Sequence, residues 1–205
     1  MQVEVEAKFL NIDHGKMRNA LERAGAKCEH PMRLMKRAML DYPDGRFQAN
    51  EHRKRLRVRD EGDKIVINFK AKNDTNYVHE IETEVESFDK MIQLLEAIGL
   101  EVYSRQESKR ETWHYKNVEV VLDEWPWLDA YIEIEGPSEK AIQTAASDLG
   151  FDWKDAKFGS VDTAYRQKYP GMTKNESIGD LKDVKFGDAL PEYLAKRMKK
   201  NGQSI

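Results

Sequence analysis

The feature that most constrains the fold is an alternation of charged and apolar side chains that recurs in short segments along the chain. Residues 3–9 alternate apolar side chains with Glu4, Glu6 and Lys8, and RLRVRD at 55–60 alternates three arginines with leucine and valine. Successive side chains of a β-strand point to opposite faces, so this period of two predicts strands with one apolar and one charged face. Such a chain must bury its apolar strand faces together.

Turn residues and helical periodicity divide the rest of the chain. Besides the first segment we predict strands at 33–42, 55–60, 63–72, 79–86, 108–116, 118–124 and 130–135. We predict helices after the N-cap Asp13, over 87–98 and over 138–149. In the second helix the 3.6-residue period predicts a buried side made of Phe88, Met91, Leu94, Leu95 and Ile98.

The connections between these strands are too short for parallel crossovers, which favours antiparallel pairing. We therefore predict an α+β fold in which three amphipathic helices cover the apolar face of an antiparallel sheet. About eight strands are enough to close a barrel. Periodicity alone leaves two arrangements open: a closed barrel that gathers the charged faces inside, and an open sheet whose charged face meets water.

The charges of the two signs lie on different strands. Acidic side chains follow the first, fifth and last predicted strands, whereas arginine and lysine follow the third and fourth. Carboxylates are the ligands that hard divalent cations prefer, and guanidinium and ammonium groups bind phosphate oxygens. The segregation therefore favours a site for a divalent metal beside a phosphorylated ligand.

Composition excludes several classes of function. The formal net charge of −3 gives no global basic field for nucleic acid, and no apolar run is long enough to span a membrane. The single Cys28 excludes an internal disulfide and a cysteine zinc cluster, which fits a cytoplasmic protein. The five histidines form no HExxH motif or close pair, so we expect them to be incidental and zinc hydrolysis to be excluded. There is no P-loop or GxGxxG motif, so side chains would bind any nucleotide.

The charged strands also carry recognisable motifs. The chain resembles the CYTH family, or triphosphate tunnel metalloenzymes, whose N-terminal Glu-x-Glu-x-Lys corresponds to Glu4, Glu6 and Lys8. The motifs LDYPDGRF, RLRVRD, INFKAK, EIETEV, SKRETW, VVLDEW, YIEIEG and GSVDTAYRQKY follow in the family's order. The resemblance covers 1–170 as a CYTH tunnel domain and leaves 171–205 as a C-terminal extension with one short strand and a helix. It implies an eight-stranded antiparallel β-barrel that forms a tunnel, with helices packed outside.

The resemblance also implies roles for individual residues. Glu4, Glu6 and Lys8 would be catalytic, and Mg²⁺ or Mn²⁺ would be the cofactor. The metal ligands would be Glu4, Glu6, Glu82, Glu84, Asp123, Glu133 and Glu135. The substrate-binding cations would be Lys8, Arg55, Arg57, Arg59, Lys70, Lys109 and Arg110. Two departures bear on substrate choice: Asp129 stands where many relatives have glycine, and Trp125-Pro126-Trp127 is outside the general pattern.

The activity implied first is a metal-dependent triphosphatase, acting as a monomer or homodimer on a small molecule that contains a triphosphate. Two alternatives stay open: a class IV adenylyl cyclase, and a binding module for polyphosphate or nucleotide without catalysis. A cyclase must also hold adenosine. Trp125 and Trp127 could stack a base, although we expect them to pack, and Tyr165 and Tyr169 belong either to a lid or to the core.

Overall fold

The computed structural model describes residues 5–49, 54–72 and 78–198. The strands are β1 (Val5–Leu10), β2 (Lys27–Asp41), β3 (Arg55–Asp60), β4 (Ile65–Lys72), β5 (Val78–Glu84), β6 (Glu101–Tyr115), β7 (Val118–Glu124), β8 (Tyr131–Gly136) and β9 (Asp183–Val184). The α-helices are α1 (His14–Arg23), α2 (Phe88–Ala97), α3 (Glu139–Asp148), α4 (Asp162–Lys168) and α5 (Glu192–Ala195). None of the helices in this described part of the chain is both long and apolar enough to cross a membrane.

The strands hydrogen-bond in the order β1-β8-β7-β6-β2-β3-β4-β5, and β9 joins β6. The β9 pair is parallel, whereas the pairs of β1 with β8, β8 with β7, β7 with β6, and β2 through β5 are antiparallel. The predicted α+β class and antiparallel sheet are therefore confirmed. β1 and β5 are the two ends of this order, and in the described part of the chain no backbone hydrogen bonds join them. The described sheet is therefore not closed into a barrel by hydrogen bonds.

The chain divides into two compact units. Unit 1 comprises residues 1–33, 109–177 and 186–205, and unit 2 comprises 34–108 and 178–185. The long strands β2 and β6 contribute residues to both units. The predicted extension is present in shortened form, with β9 assigned to unit 2 and α5 to unit 1. The boundary at residue 170 remains a prediction.

The core of unit 1 lies between strands β1, β6, β7 and β8 and helices α1 and α3. Ala7 and Phe9 of β1 are buried there, as the alternation predicts, together with Ile142 of α3. The predicted N-cap Asp13 is confirmed, since its side chain accepts a hydrogen bond from the Lys16 backbone amide. These contacts turn the apolar strand faces toward the helices and leave the charged faces on the other side.

A glycine permits the close approach of α3 to the sheet. A Cβ atom at Gly136, the last residue of β8, would lie 2.8 Å from Val118 Cγ1 and 3.2 Å from Ile142 Cγ2. Both neighbours are fully buried, so neither can move away cheaply.

The core of unit 2 forms where α2 packs on β3. Leu56 and Val58 are buried against Ile92 and Leu95 of the helix. The predicted burial of Leu94 and Ile98 is wrong, because these side chains are 55% and 64% exposed. The buried stripe instead follows positions 88, 91, 92 and 95, the i, i+3, i+4, i+7 spacing of a single helix face.

Candidate active site

Two residues of the Glu-x-Glu-x-Lys motif lie in the described part of β1. Glu4 lies outside the described residues, and its role remains a prediction. Glu6 and Lys8 share one strand face and stand opposite Glu135 and Glu133 of β8. The Lys8 side chain is 2% exposed and that of Glu6 44% exposed. The motif therefore places a buried ammonium group beside an accessible carboxylate.

Glu133 lies between two cations. Its Oε1 atom is 3.1 Å from Lys8 Nζ, and its Oε2 atom is 3.2 Å from Arg110 Nη2. Burial raises the pKa of Glu133 above its usual value, as does the nearby charge of Asp123, while the two cations oppose that rise. Burial would lower the pKa of Lys8, but the Glu133 and Glu6 carboxylates outweigh it and hold that pKa above its usual value. Lys8 is therefore a fixed positive charge at neutral pH.

The network extends from Glu133 to a two-point ion pair. Arg110 donates from Nε and Nη2 to the two carboxylate oxygens of Asp123, at 2.8 and 2.6 Å. Tyr131 donates its hydroxyl to Asp123 Oδ2 at 3.3 Å. Burial would lower the pKa of Arg110, but Asp123 and Glu133 hold it well above its usual value. The fork geometry fixes the guanidinium plane.

A row of acidic side chains crosses the same strand face of unit 1. The register places Glu6 opposite Glu135, Glu135 opposite Glu119, and Glu119 opposite His114 of β6. His114 Nε2 lies 2.7 Å from a carboxylate oxygen of Glu29. Donor atoms of Glu29, His114 and Glu119 all lie within 4.8 Å of one another, close enough to hold a metal ion. His114 is exposed, as expected of a surface histidine, and its two carboxylate neighbours make it a candidate metal ligand that the sequence did not indicate.

The donor chemistry of this row fits a divalent cation. Glu6, Glu135 and Glu119 stand at directly opposed positions, where like charges destabilise a sheet. Oxygen ligands are those that Mg²⁺ and Mn²⁺ prefer. Asp123 and Glu133, also predicted as metal ligands, are instead engaged by Arg110 and Lys8. Glu6 of the row also pairs with Lys8, but its side chain is 44% exposed, whereas those of Asp123 and Glu133 are 1% and 11% exposed, so Glu6 is the more accessible to a metal.

In unit 2 the cations lie on one face of β3 and β4. Arg55 stands opposite Lys70, and Arg57 opposite Asn68. Arg59 follows on the same face and forms an ion pair with Glu61. The predicted alternation of RLRVRD is confirmed, because Leu56 and Val58 on the other face are buried.

Arg57 is the centre of this cationic face. Burial, and then the charges of Arg59, Arg37 and Arg55, lowers the pKa of Arg57 to about 9. Its Nε atom is buried and has no hydrogen-bond partner among the described residues. Glu80 opposes this shift but ranks after the three arginines, so Arg57 is held among an excess of positive charge and is poised to bind an anion.

The glutamates of β5 are placed unequally. Lys70 Nζ lies 2.9 Å from Glu80, and Asn68 donates to Glu80 at 2.6 Å and to Glu82 at 3.0 Å. Burial alone would raise the pKa of Glu80, but the hydrogen bonds from Lys70 and Asn68 lower it. Glu84 stands opposite Val66 and is exposed. Glu80 was not among the predicted ligands, and metal binding by Glu82 and Glu84 remains a prediction.

Lys109 and Arg110, both predicted to bind substrate, lie on opposite faces of β6. The register pairs Lys109 with Glu124 and Arg110 with Asp123. Lys109 Nζ lies 3.6 Å from Glu124 and 4.8 Å from the centre of the Phe186 ring. The pairing places Arg110 on the strand face of Asp123.

The aromatic residues of the β7–β8 connection pack within unit 1. Trp125 is 5% exposed, and Trp127 donates its indole N–H to the Asp188 carbonyl at 2.8 Å. Tyr165 and Tyr169 are buried and donate their hydroxyls to the carbonyls of Pro126 and Trp127, at 2.7 and 2.6 Å. These buried tyrosines therefore stabilise the β7–β8 connection through hydrogen bonds and do not form an exposed lid.

A separate cavity of about 430 Å³ lies in unit 1. Its lining includes Phe9, Asp129, Phe151 and Lys168, and contains none of the predicted site residues. The charged strand faces, and not this cavity, therefore carry the candidate chemistry.

Comparison with known proteins places these features in a family. The sequence profile of the CYTH domain matches residues 2–162. A search of curated proteins by sequence finds no match. Enzymes with this domain bind triphosphate compounds and depend on divalent metals.

Solved structures agree in fold. A protein from Pyrococcus horikoshii superposes with a TM-score of 0.60 at 22% identity, covering 78% of this chain and 99% of that one. A candidate adenylate cyclase from Vibrio parahaemolyticus has a TM-score of 0.63 at 16% identity, covering 78% and 96%. A candidate adenylyl cyclase from Hippeastrum, described as having a dominant triphosphatase activity, has a TM-score of 0.54 at 12% identity, covering 86% and 99%. At these identities the likeness establishes the fold alone.

Proposed function

Because the chain belongs to the CYTH family, we propose that it is a Mg²⁺- or Mn²⁺-dependent triphosphatase. It hydrolyses a phosphoanhydride bond of inorganic triphosphate or of an organic or nucleoside triphosphate. The observation that carries the proposal is the largely buried Arg57 among three other arginines, an arrangement that calls for a polyanion. The family match and the acidic row of unit 1 support the metal dependence.

The cations of unit 2 have the chemistry to bind phosphate. A linear triphosphate presents several charged oxygens along its length, and guanidinium groups bind such oxygens in pairs. Arg55, Arg57 and Arg59 lie two residues apart on one strand face, which spaces them by about 7 Å. Spreading the charge over fixed cations is the main catalytic contribution expected in phosphoryl transfer.

The carboxylates of unit 1 have the chemistry to hold the metal. Glu6 and Glu135 are the predicted ligands that lie in the acidic row, and Glu119 adjoins them. A bound Mg²⁺ or Mn²⁺ neutralises phosphate charge and lowers the pKa of a coordinated water. The Lys8 ammonium lies 2.9 Å from Glu6 and holds that carboxylate in position.

A class IV adenylyl cyclase remains the second candidate, since the Vibrio structure is described as a candidate adenylate cyclase. The cyclase needs a place for adenosine beside the phosphates. Trp125 is buried, so its ring is not open as a stacking platform, and the half-buried Trp127 is held by the hydrogen bond from its indole N–H to the Asp188 carbonyl. This packing favours the hydrolase. Incubation with ATP and Mn²⁺ separates the two, because only a cyclase releases cyclic AMP.

Replacing Glu6 tests the metal role. We expect Glu6→Gln to lower the release of orthophosphate from tripolyphosphate and to raise the Mn²⁺ concentration needed for half-maximal activity. Glu22→Gln, on the exposed surface of α1, is the matched control and should leave both unchanged. If Glu6→Gln kept wild-type turnover and wild-type metal dependence, the assignment of Glu6 as a metal ligand would be refuted.

We also propose a cytoplasmic location. The free and exposed Cys28 fits a reducing environment, where thiols stay unpaired.

A further inference from the structure

We infer that Arg37 of β2 is a further phosphate-binding residue, which lets unit 2 hold a chain of three or more phosphates more tightly than a shorter anion. The inference rests on the proposed function and deepens it. It starts from register, because Arg37 stands directly opposite Arg59 on β3. Both side chains therefore lie on the strand face that carries Arg55 and Arg57.

Arg37 is close enough to the central arginine to act on it. Its charge is among those that lower the pKa of Arg57, ranking after burial and Arg59 and ahead of Arg55. Like charges at this proximity cost free energy in the folded chain unless an anion neutralises them. Arg37 is therefore near enough to contact a further phosphate group of a chain that is bound at Arg57.

Arg37 is also held in a defined orientation. Its Nη2 atom donates to the hydroxyl oxygen of Ser108 at 2.9 Å. Ser108 lies on β6 and is buried, so the acceptor is fixed in place. The side chain of Arg37 itself is only half-buried, which leaves it within reach of a ligand. A guanidinium group that is oriented before binding loses less entropy when it binds phosphate.

The position of Arg37 predicts selectivity for length. The pair of Arg37 and Arg59 lies four residues along the strand from Arg55 and Lys70, a distance of about 14 Å between backbone positions. A single phosphate can contact only one of these two rows. A longer polyphosphate can contact Arg57 and reach toward Arg37 as well. Arg37 should therefore matter for long anions and not for short ones.

The test is calorimetric titration of the full chain with inorganic tripolyphosphate, pyrophosphate and orthophosphate, without added metal. We expect Arg37→Ala to weaken tripolyphosphate binding by about ten- to a hundredfold, as for a lost charge-assisted hydrogen bond. The affinity of Arg37→Ala for pyrophosphate should fall less, and its affinity for orthophosphate should equal that of the wild type. Ser108→Ala keeps the guanidinium group of Arg37 but removes its fixed acceptor. It should weaken tripolyphosphate binding less than Arg37→Ala does, and again more than it weakens binding of the two shorter anions.

The neighbouring lysine supplies the control. Lys36 is exposed, stands opposite Asp60 and lies on the other face of β2, so Lys36→Ala removes one positive charge without touching the site. The Lys36→Ala variant should bind tripolyphosphate with the affinity of the wild type. If Arg37→Ala lowers the melting temperature, Arg37→Gln retains most of the side chain and tests the same charge.

The outcomes separate this inference from the proposed function. Wild-type tripolyphosphate affinity in Arg37→Ala or Arg37→Gln, with a loss in Arg57→Ala, would overturn the role of Arg37 and leave the triphosphatase in place. An equal loss for all three anions would overturn the selectivity for length. No tripolyphosphate binding by the wild type would overturn both proposals together.

Discussion

Replacing Arg57 by methionine should make the ligand-free protein more stable while it abolishes tight binding of triphosphate. The guanidinium is largely buried, and three arginines surround it. Methionine has a similar length and no charge, so it keeps the packing and removes the repulsion. Replacing a buried charge with an apolar side chain is often stabilising.

The size of the effect follows from Coulomb's law. Neighbouring side chains on one strand face are separated by about 7 Å. At that distance, with an effective dielectric constant of about 40 to 80, each like charge costs roughly 0.6–1.2 kcal/mol. Repulsion from the three neighbouring arginines therefore costs roughly 2–4 kcal/mol, and attraction to Glu80 offsets about the contribution of one arginine. We expect Arg57→Met to raise the free energy of unfolding by about 1–3 kcal/mol.

The pH dependence has a definite sign. The pKa of Arg57 in the folded chain is lowered to about 9, so the charged form is disfavoured by folding. The cost is present in full below that pH and diminishes as pH rises through it, because the folded chain then releases the proton first. The advantage of Arg57→Met should therefore be greatest near neutral pH and should shrink above about pH 9.

Urea denaturation at pH 7, with and without tripolyphosphate, measures both effects. A ligand at a hundred times its dissociation constant should stabilise the wild type by about 2.7 kcal/mol and leave Arg57→Met nearly unchanged. Arg105→Met, which removes an exposed arginine of β6, is the control and should resemble the wild type in both conditions. If ligand-free Arg57→Met were less stable than the wild type by more than about 1 kcal/mol, the folded chain would already neutralise the charge of Arg57, and the predicted repulsion would be refuted.

Three further predictions concern packing and charge. Glu133→Gln removes the carboxylate between Lys8 and Arg110 and should lower the free energy of unfolding in urea by about 2–4 kcal/mol; an unchanged value would contradict the network. The pKa of Lys8 is raised in the folded chain, so the stabilisation by its charge is complete at neutral pH and is lost as pH rises through that pKa. Lys8→Met should therefore have a lower free energy of unfolding than the wild type at neutral pH, and urea denaturation at increasingly alkaline pH, but not at acidic pH, should show this difference disappear. Leu95→Ala should cost about 2–4 kcal/mol by the same assay, whereas exposed Leu94→Ala should cost less than about 1 kcal/mol, and equal costs would contradict the observed helix face.

The local elements follow from the sequence because their signals are local. RLRVRD alternates without interruption, and its strand has the predicted bounds at 55–60. The strands β2 and β6 begin at Lys27 and Glu101, well before the predicted 33 and 108, because polar residues there break the alternation. Pairing with neighbouring strands can extend a segment beyond the region where its own pattern is clear.

The site is harder to predict because it depends on register between strands. Alternation assigns Glu6, Lys8 and Arg57 to charged faces, but it says nothing about what stands opposite them. Arg37 follows directly after Lys36 in β2, so alternation does not say which of the two lies on the face of the site, and the pairing of Arg37 with Arg59 decides it. The contact of His114 with Glu29 joins residues far apart in sequence, and no local pattern predicts it.

The most direct test of the proposed activity is a product analysis of purified protein incubated with tripolyphosphate and Mg²⁺ or Mn²⁺. We expect equal amounts of orthophosphate and pyrophosphate, no reaction when a chelator removes the metal, and no cyclic AMP when ATP is supplied instead. Intact tripolyphosphate with either metal, or cyclic AMP and pyrophosphate from ATP, would contradict it.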